Sequence, residues 1–176
     1  MARKSILLVI SILLTWITGI YSVFAEGIAF KMQGSIVETA CAIDLGSRDQ
    51  TIDMGSLSIS HILRDGQGPA RPFTIRLVNC SLEKQNSNRP DWQYFRVTFD
   101  GSHERGLFKV SGQAKGVGLE IRNQNNEVSI PGSAMLPQEL TPGTRDLIYQ
   151  LRLVANQQPL VAGNYNSQLA FKLDYE

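Results

Sequence analysis

Histidine and cysteine are scarce in this 176-residue chain, with two of each. His61 and His103 are far apart in sequence and neither has a partner at metal-ligand spacing, so the usual zinc patterns are missing. There is no Gly-x-Ser-x-Gly elbow and no His-Glu-x-x-His. Gly112, Gly116 and Gly118 lack the Gly-Lys-Ser/Thr ending and the following helix of a phosphate loop, and read as a turn between strands. Glu104, Glu120 and Asp146 read as ordinary surface carboxylates. A secreted β-sandwich hydrolase is the enzyme this chain would most plausibly make, and it would lack the common machinery. Charge of one sign is also lacking: 17 basic and 16 acidic residues are scattered, net +1. That balance gives no electrostatic reason to expect nucleic acid or anionic lipid as partner.

Long apolar runs are absent except one. Arg3-Lys4 precede an apolar stretch from Ile6 to about Ile20, and Val23-Phe24-Ala25 forms a small-x-small cleavage site. Residues 1–25 therefore read as a secretory signal peptide. Thr15, Thr18, Gly19 and Ser22 dilute the second half, and no basic stop-transfer group follows, which argues against a retained anchor. Removing them leaves 151 residues, a single-domain length. With Arg3 and Lys4 gone, 15 basic residues face 16 acidic ones, net −1. In an oxidising compartment Cys41 and Cys80 are expected to form one disulfide, worth roughly 3–4 kcal/mol for a loop of about 40 residues in the chain-entropy model. A metal pair or a reactive thiol are the competing uses.

Helical periodicity is missing from Glu26 onward. Short alternating or β-branched runs appear instead: Ile28 to Val37, Thr51 to Met54, Phe73 to Cys80, Tyr94 to Asp100, Leu107 to Val110, Val117 to Ile121, Leu147 to Ala155 and Gln168 to Tyr175. Turn chemistry separates them, as at Asp65-Gly66-Gln67-Gly68-Pro69, Asp100-Gly101 and Thr141-Pro142-Gly143. This predicts an all-β sandwich in one domain. Asn79-Cys80-Ser81 fits a glycosylation sequon, but its middle residue is the expected disulfide partner. Trp92 and Tyr94 would suit a carbohydrate platform, yet an adhesin would need a further receptor-binding domain for which there is no room.

The two ends of the exported chain carry the most information. From Gly163 to Glu176, residues Tyr165, Leu169, Phe171, Leu173 and Tyr175 fall on one face and Asn164, Asn166, Gln168, Lys172 and Asp174 on the other. Such a strand needs a neighbour, from earlier strands or from another molecule. At the other end, Ile28, Phe30, Met32, Gly34 and Ile36 alternate with Ala29, Lys31, Gln33 and Ser35. Gly34 interrupts the stripe, as where another backbone approaches closely.

Taken together, Gly34 seven residues before Cys41, the second cysteine closing Ile75-Arg-Leu-Val-Asn-Cys80, Gly163 fourteenth from the end and penultimate Tyr175 resemble the pilin subunits of the chaperone–usher pathway. The resemblance runs from about Ile28 to Glu176. It implies an incomplete immunoglobulin-like sandwich lacking its last strand, completed in trans by donor-strand complementation. Residues 26–37 would be the donor-strand extension and 38–176 the pilin domain. Ile28, Phe30, Met32, Gly34 and Ile36 would fill a neighbouring subunit's groove. Gly163, Tyr165, Leu169, Phe171, Leu173 and Tyr175 would line this subunit's own groove and meet the chaperone's strand. The implied partners are a periplasmic chaperone, an outer-membrane usher and neighbouring pilins, with no cofactor, metal or small-molecule substrate. The implied route leads through the periplasm to the fimbrium on the cell surface.

Within that family the chain is similar to the terminator subunits that end and anchor the rod, as in P pili. Ile52-Asp-Met-Gly55, Gly68-Pro69 with Arg71 and Phe73, Val97 to Gly101, Ser111 to Gly116, Ala162 to Tyr165 and Leu173 to Glu176 carry this likeness. It implies a groove closed at one end. An ordinary rod or linker pilin that accepts a further subunit is the alternative.

Overall fold

The computed structural model describes residues 38–85 and 88–176. β1 (Ala42–Ile43) is followed by two short helices, α1 (Leu45–Arg48) and α2 (Ile59–Asp65). Then come β2 (Arg71–Cys80), β3 (Tyr94–Gly101), β4 (His103–Glu104), β5 (Leu107–Lys109), β6 (Ser111–Gly112) and β7 (Val117–Asn123). β8 (Gln138–Glu139), β9 (Gly143–Ala155), β10 (Tyr165–Asn166) and β11 (Leu169–Tyr175) complete the series. Among the described residues no helix is long and apolar enough to cross a membrane.

One sheet has six strands in the order β1-β2-β9-β7-β5-β4, and a second has three in the order β11-β3-β8. All pairings are antiparallel. β9 alternates Leu147, Tyr149, Leu151 and Leu153 inward with Asp146, Ile148, Gln150 and Arg152 outward, so one face packs and one meets water. The core lies between the sheets, where Ile75, Leu77, Phe95, Val97, Phe108, Ile121 and Tyr149 are sealed from solvent. Cys41 and Cys80 are disulfide-bonded, tying the start of β1 to the end of β2.

Two expectations are corrected. The chain does contain helix: α2 is capped by Ser58, whose hydroxyl accepts from the His61 amide, and by left-handed Gly66, whose amide reaches the Ile62 carbonyl. Seven residues are too few to register as helical periodicity, but the Ser58 and Gly66 caps were legible. Thr51 to Met54 is not a strand. Its natural partner, the outer edge of β2, is taken by other groups. The Asp44 amide donates to the Arg76 carbonyl, the Arg76 amide donates to Ser47 Oγ, and Gln50 Nε2 donates to the Thr74 carbonyl. Pro72 has no N–H to offer.

Candidate functional site: an open groove between the sheets

β3 and β11 run side by side from Leu169↔Gly101 to Tyr175↔Phe95, and β11 is the last strand of its sheet. Along β11 burial alternates strictly, but the inward residues Leu169, Phe171, Leu173 and Tyr175 are only half-buried. The opposite wall is the segment from Asp49 to Leu57, which makes no backbone–backbone hydrogen bond to any described residue. Its Ile52, Met54 and Leu57 nonetheless turn toward the core. Between the walls lies a cavity of about 1450 Å³, floored by Phe73, Ile75, Phe99, Ile121 and Leu151.

The floor is organised by four rings from both sheets. Phe73 stacks on Tyr149 with centroids 5.5 Å apart, Phe99 meets Tyr149 edge-on at 4.9 Å, and Phe99 touches Phe171 at 6.3 Å. Such contacts add to area burial and fix the spacing of the layers. At one end Trp92 meets Tyr175 at 6.0 Å, and Lys84 Nζ sits 3.9 Å over the Trp92 ring. Burial raises the pKa of Tyr175, with hydrogen bonding to the Cys41 backbone opposing it. Glu176 is fixed there too: its amide and carbonyl bond to Tyr94, and its Oε1 lies 2.7 Å from Arg96 Nε.

The other end is built by a chain crossing. The carbonyl of Asn164 accepts from the amides of Gln113 and Ala114, and Lys115 and Val161 exchange both backbone bonds. This crossing requires glycine on both segments: a Cβ on Gly163 would stand 2.5 Å from that of Gln113, and one on Gly112 would collide with the Asn164 carbonyl. Leu57 leans over Gly68, its Cδ2 2.6 Å from where a Cβ would be, and Ile59 and Ile62 of α2 line the same end.

The two edges facing the cavity differ. That of β2 is blunted by side chains and Pro72, whereas that of β11 is bare among the described residues, so of the two it is β11 that leaves its backbone groups open to a further strand. Of the residues named from sequence, Leu169, Phe171, Leu173 and Tyr175 sit together on β11, whereas Gly163 and Tyr165 belong to the crossing. Ile28, Phe30, Met32, Gly34 and Ile36 lie outside the described residues. Sequence reasoning missed the Phe73–Tyr149–Phe99 floor, because aromatics on separate strands carry no shared spacing.

A sandwich with one bare strand edge above an apolar trough is the architecture of a subunit that is completed by its neighbours. A family model described as Fimbrial protein matches residues 30–176, and the chain belongs to that family. It is 37% identical over 145 residues to the PRS fimbrial minor pilin protein and to the PAP fimbrial minor pilin protein of Escherichia coli, covering 81% of this chain and 74% of each relative. The crystal structure of the P pilus rod subunit PapA shares the fold, with TM-score 0.70 at 21% identity over 78% of this chain and 100% of that one. The protein is thus a fimbrial subunit of the chaperone–usher type, a structural component that assembles with other pilins and not an enzyme.

Proposed function

We propose that this subunit terminates the fimbrial polymer and anchors it at the outer membrane. It would be exported with residues 1–25 removed, and held in the periplasm by a chaperone whose strand lies against Leu169, Phe171, Leu173 and Tyr175. It would then be passed to the usher, giving residues 26–37 to the preceding pilin while accepting none itself. The observation that carries this reading is that the chain's own side chains bound one groove end: Leu57 lies over Gly68, with Ile59 and Ile62 of α2 beside it. Beside them lies the crossing of Ser111 to Gly116 with Val161 to Tyr165. A donor strand presents five alternating positions, as Ile28 to Ile36 do, and blocking one end leaves no seat for the last.

The test is strand exchange. Chaperone-bound subunit is mixed with donor-strand peptides from pilins of the same system, and chaperone release is followed by mass spectrometry. No release over hours, while this chain's own Ile28–Ile36 peptide exchanges into a neighbouring pilin, is the expected result. Release within hours would make it an ordinary rod or linker subunit, a reading favoured by the size of the cavity, about 1450 Å³.

A further inference from the structure

Two methionines fall among the described residues, and they are placed oppositely. Met135 is 3% exposed, and its amide donates to the Val97 carbonyl at 2.9 Å, which holds it beside β3. Met54 is only half-buried: it packs against the rim of the core and lines the groove. It also sits on the least fastened part of the groove wall, because Asp49 to Leu57 makes no backbone–backbone hydrogen bond to any described residue. Gln50 Nε2 holds the start of this wall to the Thr74 carbonyl, and Leu57 lies over Gly68 at the bounded end. Met54 falls between the two fastenings, ahead of the bounded end, on a stretch that can lift without breaking a ladder bond.

Both cysteines are tied in the disulfide, so a thioether is the oxidisable sulfur that remains. As a thioether, Met54 meets an apolar strand as an adaptable hydrophobe. As a sulfoxide it would carry a strong dipole at the same place, and an apolar strand cannot satisfy that dipole, so covering it costs desolvation.

We infer that Met54 is an oxidation site gated by the groove: peroxide converts it to the sulfoxide while the groove is empty, and the sulfoxide weakens the hold on the chaperone's strand. The second half rests on the chaperone-bound reading proposed above. The Met54 sulfur attacks one oxygen of hydrogen peroxide, the S–O bond forms as the O–O bond breaks, and the sulfur gives up two electrons. The departing hydroxide takes the proton from the transferred oxygen and leaves as water. A thiol-dependent sulfoxide reductase reverses the change. A strand seated along β11 lies between that edge and the wall carrying Met54, and shields the sulfur. Occupancy and oxidation therefore oppose one another, each by the same factor.

The test exposes the chaperone complex, and the subunit released from it with its disulfide closed, to dilute hydrogen peroxide. Each methionine is followed by peptide mass spectrometry. In the released subunit Met54 is expected to oxidise about tenfold faster than Met135, and in the complex about tenfold slower than in the released subunit. Equal rates for Met54 and Met135, or a Met54 rate that the chaperone leaves unchanged, overturn the gate. Recapture by fresh chaperone is then measured for the subunit and for Met54→Leu, each against its own untreated sample, so that oxidation at Met32 counts equally in both. Treatment is expected to weaken recapture of the unsubstituted subunit about tenfold, with recovery after sulfoxide reductase, and to cause no loss in Met54→Leu. Undiminished recapture after oxidation, or the same loss in Met54→Leu, overturns the effect on the strand. If the untreated subunit is not recaptured at all, the chaperone-bound reading itself falls, while the rates still decide the contrast between Met54 and Met135.

Discussion

β3 and β11 are neighbours in one sheet and equally apolar on their inner faces, yet they are buried differently. Phe95, Val97 and Phe99 of β3 are 0%, 0% and 2% exposed, whereas Leu169, Phe171, Leu173 and Tyr175 of β11 are only half-buried. The cause is position: among the described residues β3 has β11 on one side and β8 on the other, whereas β11 has a single neighbour. Burial of a strand is set by what flanks it as much as by its own residues. A strand patterned for the core but left at an edge is an aggregation hazard unless something covers it, and in a fimbrial subunit the cover comes from another chain.

The largest expected effect comes from breaking the buried member of the pair. Val97→Asp places a carboxylate where nothing can pair with it, and no folded subunit should be recovered from the periplasm. Phe99→Ala should cost about 3–5 kcal/mol by urea unfolding. Leu173→Ala on β11 should cost about 1–2 kcal/mol in the unoccupied subunit, rising toward the 2–5 kcal/mol of a true core leucine once a strand is bound. Equal costs with and without a bound strand would mean that β11 is already complete, and the contrast would collapse.

Next in size is the disulfide. Replacing Cys41 and Cys80 together by Ser should cost about 2–5 kcal/mol and release β1 from the end of β2. The loss should be felt on the six-stranded sheet and the groove wall that follows β1, with β3 and β11 still paired. Hydrogen exchange sharpens the same comparison with a smaller signal. Amides of β11 that face the cavity should exchange far faster than those of β3, and should slow when a strand docks. Unchanged rates on docking would place the added strand elsewhere.

Most of the sandwich was legible in the sequence, because period-2 alternation survives wherever a strand has one wet face: β2, β3, β7, β9 and β11 fall within two or so residues of expectation at most boundaries, β9 alone starting well before its predicted limit at Leu147. The unread parts share a cause. Thr51 to Met54 has a strand's alternation but no strand's hydrogen bonds, because Ser47, Gln50 and Pro72 had already used the edge it would need. The glycines at 112 and 163 were noticed as motifs, but their reason is a meeting of two segments more than 40 residues apart in sequence, which spacing cannot show. Alternation reports what a residue faces; it does not report what lies across from it.

The smallest effect tests whether electrostatics contributes to the contrast at all. On the outer face Arg76 and Asp146 are cross-strand partners joined by two hydrogen bonds, 2.7 Å from Nε and 3.0 Å from Nη2. The hydrogen bond from Arg76 is the main cause holding the Asp146 carboxyl below its usual range. A carboxyl whose pKa is lower in the folded state contributes stability that is present above its unfolded pKa and lost as pH falls through the folded value. The pair is solvent-exposed, so Asp146→Asn should shift the urea midpoint only slightly near neutral pH. That small difference should shrink further in acid and vanish once Asp146 is protonated in both states. The difference between Phe99→Ala and Leu173→Ala, which comes from packing, should persist over the same pH range. If acid instead erased the packing contrast and left the Asp146→Asn difference intact, charge would be setting the burial of the two strands, and the missing neighbour of β11 would not be the cause.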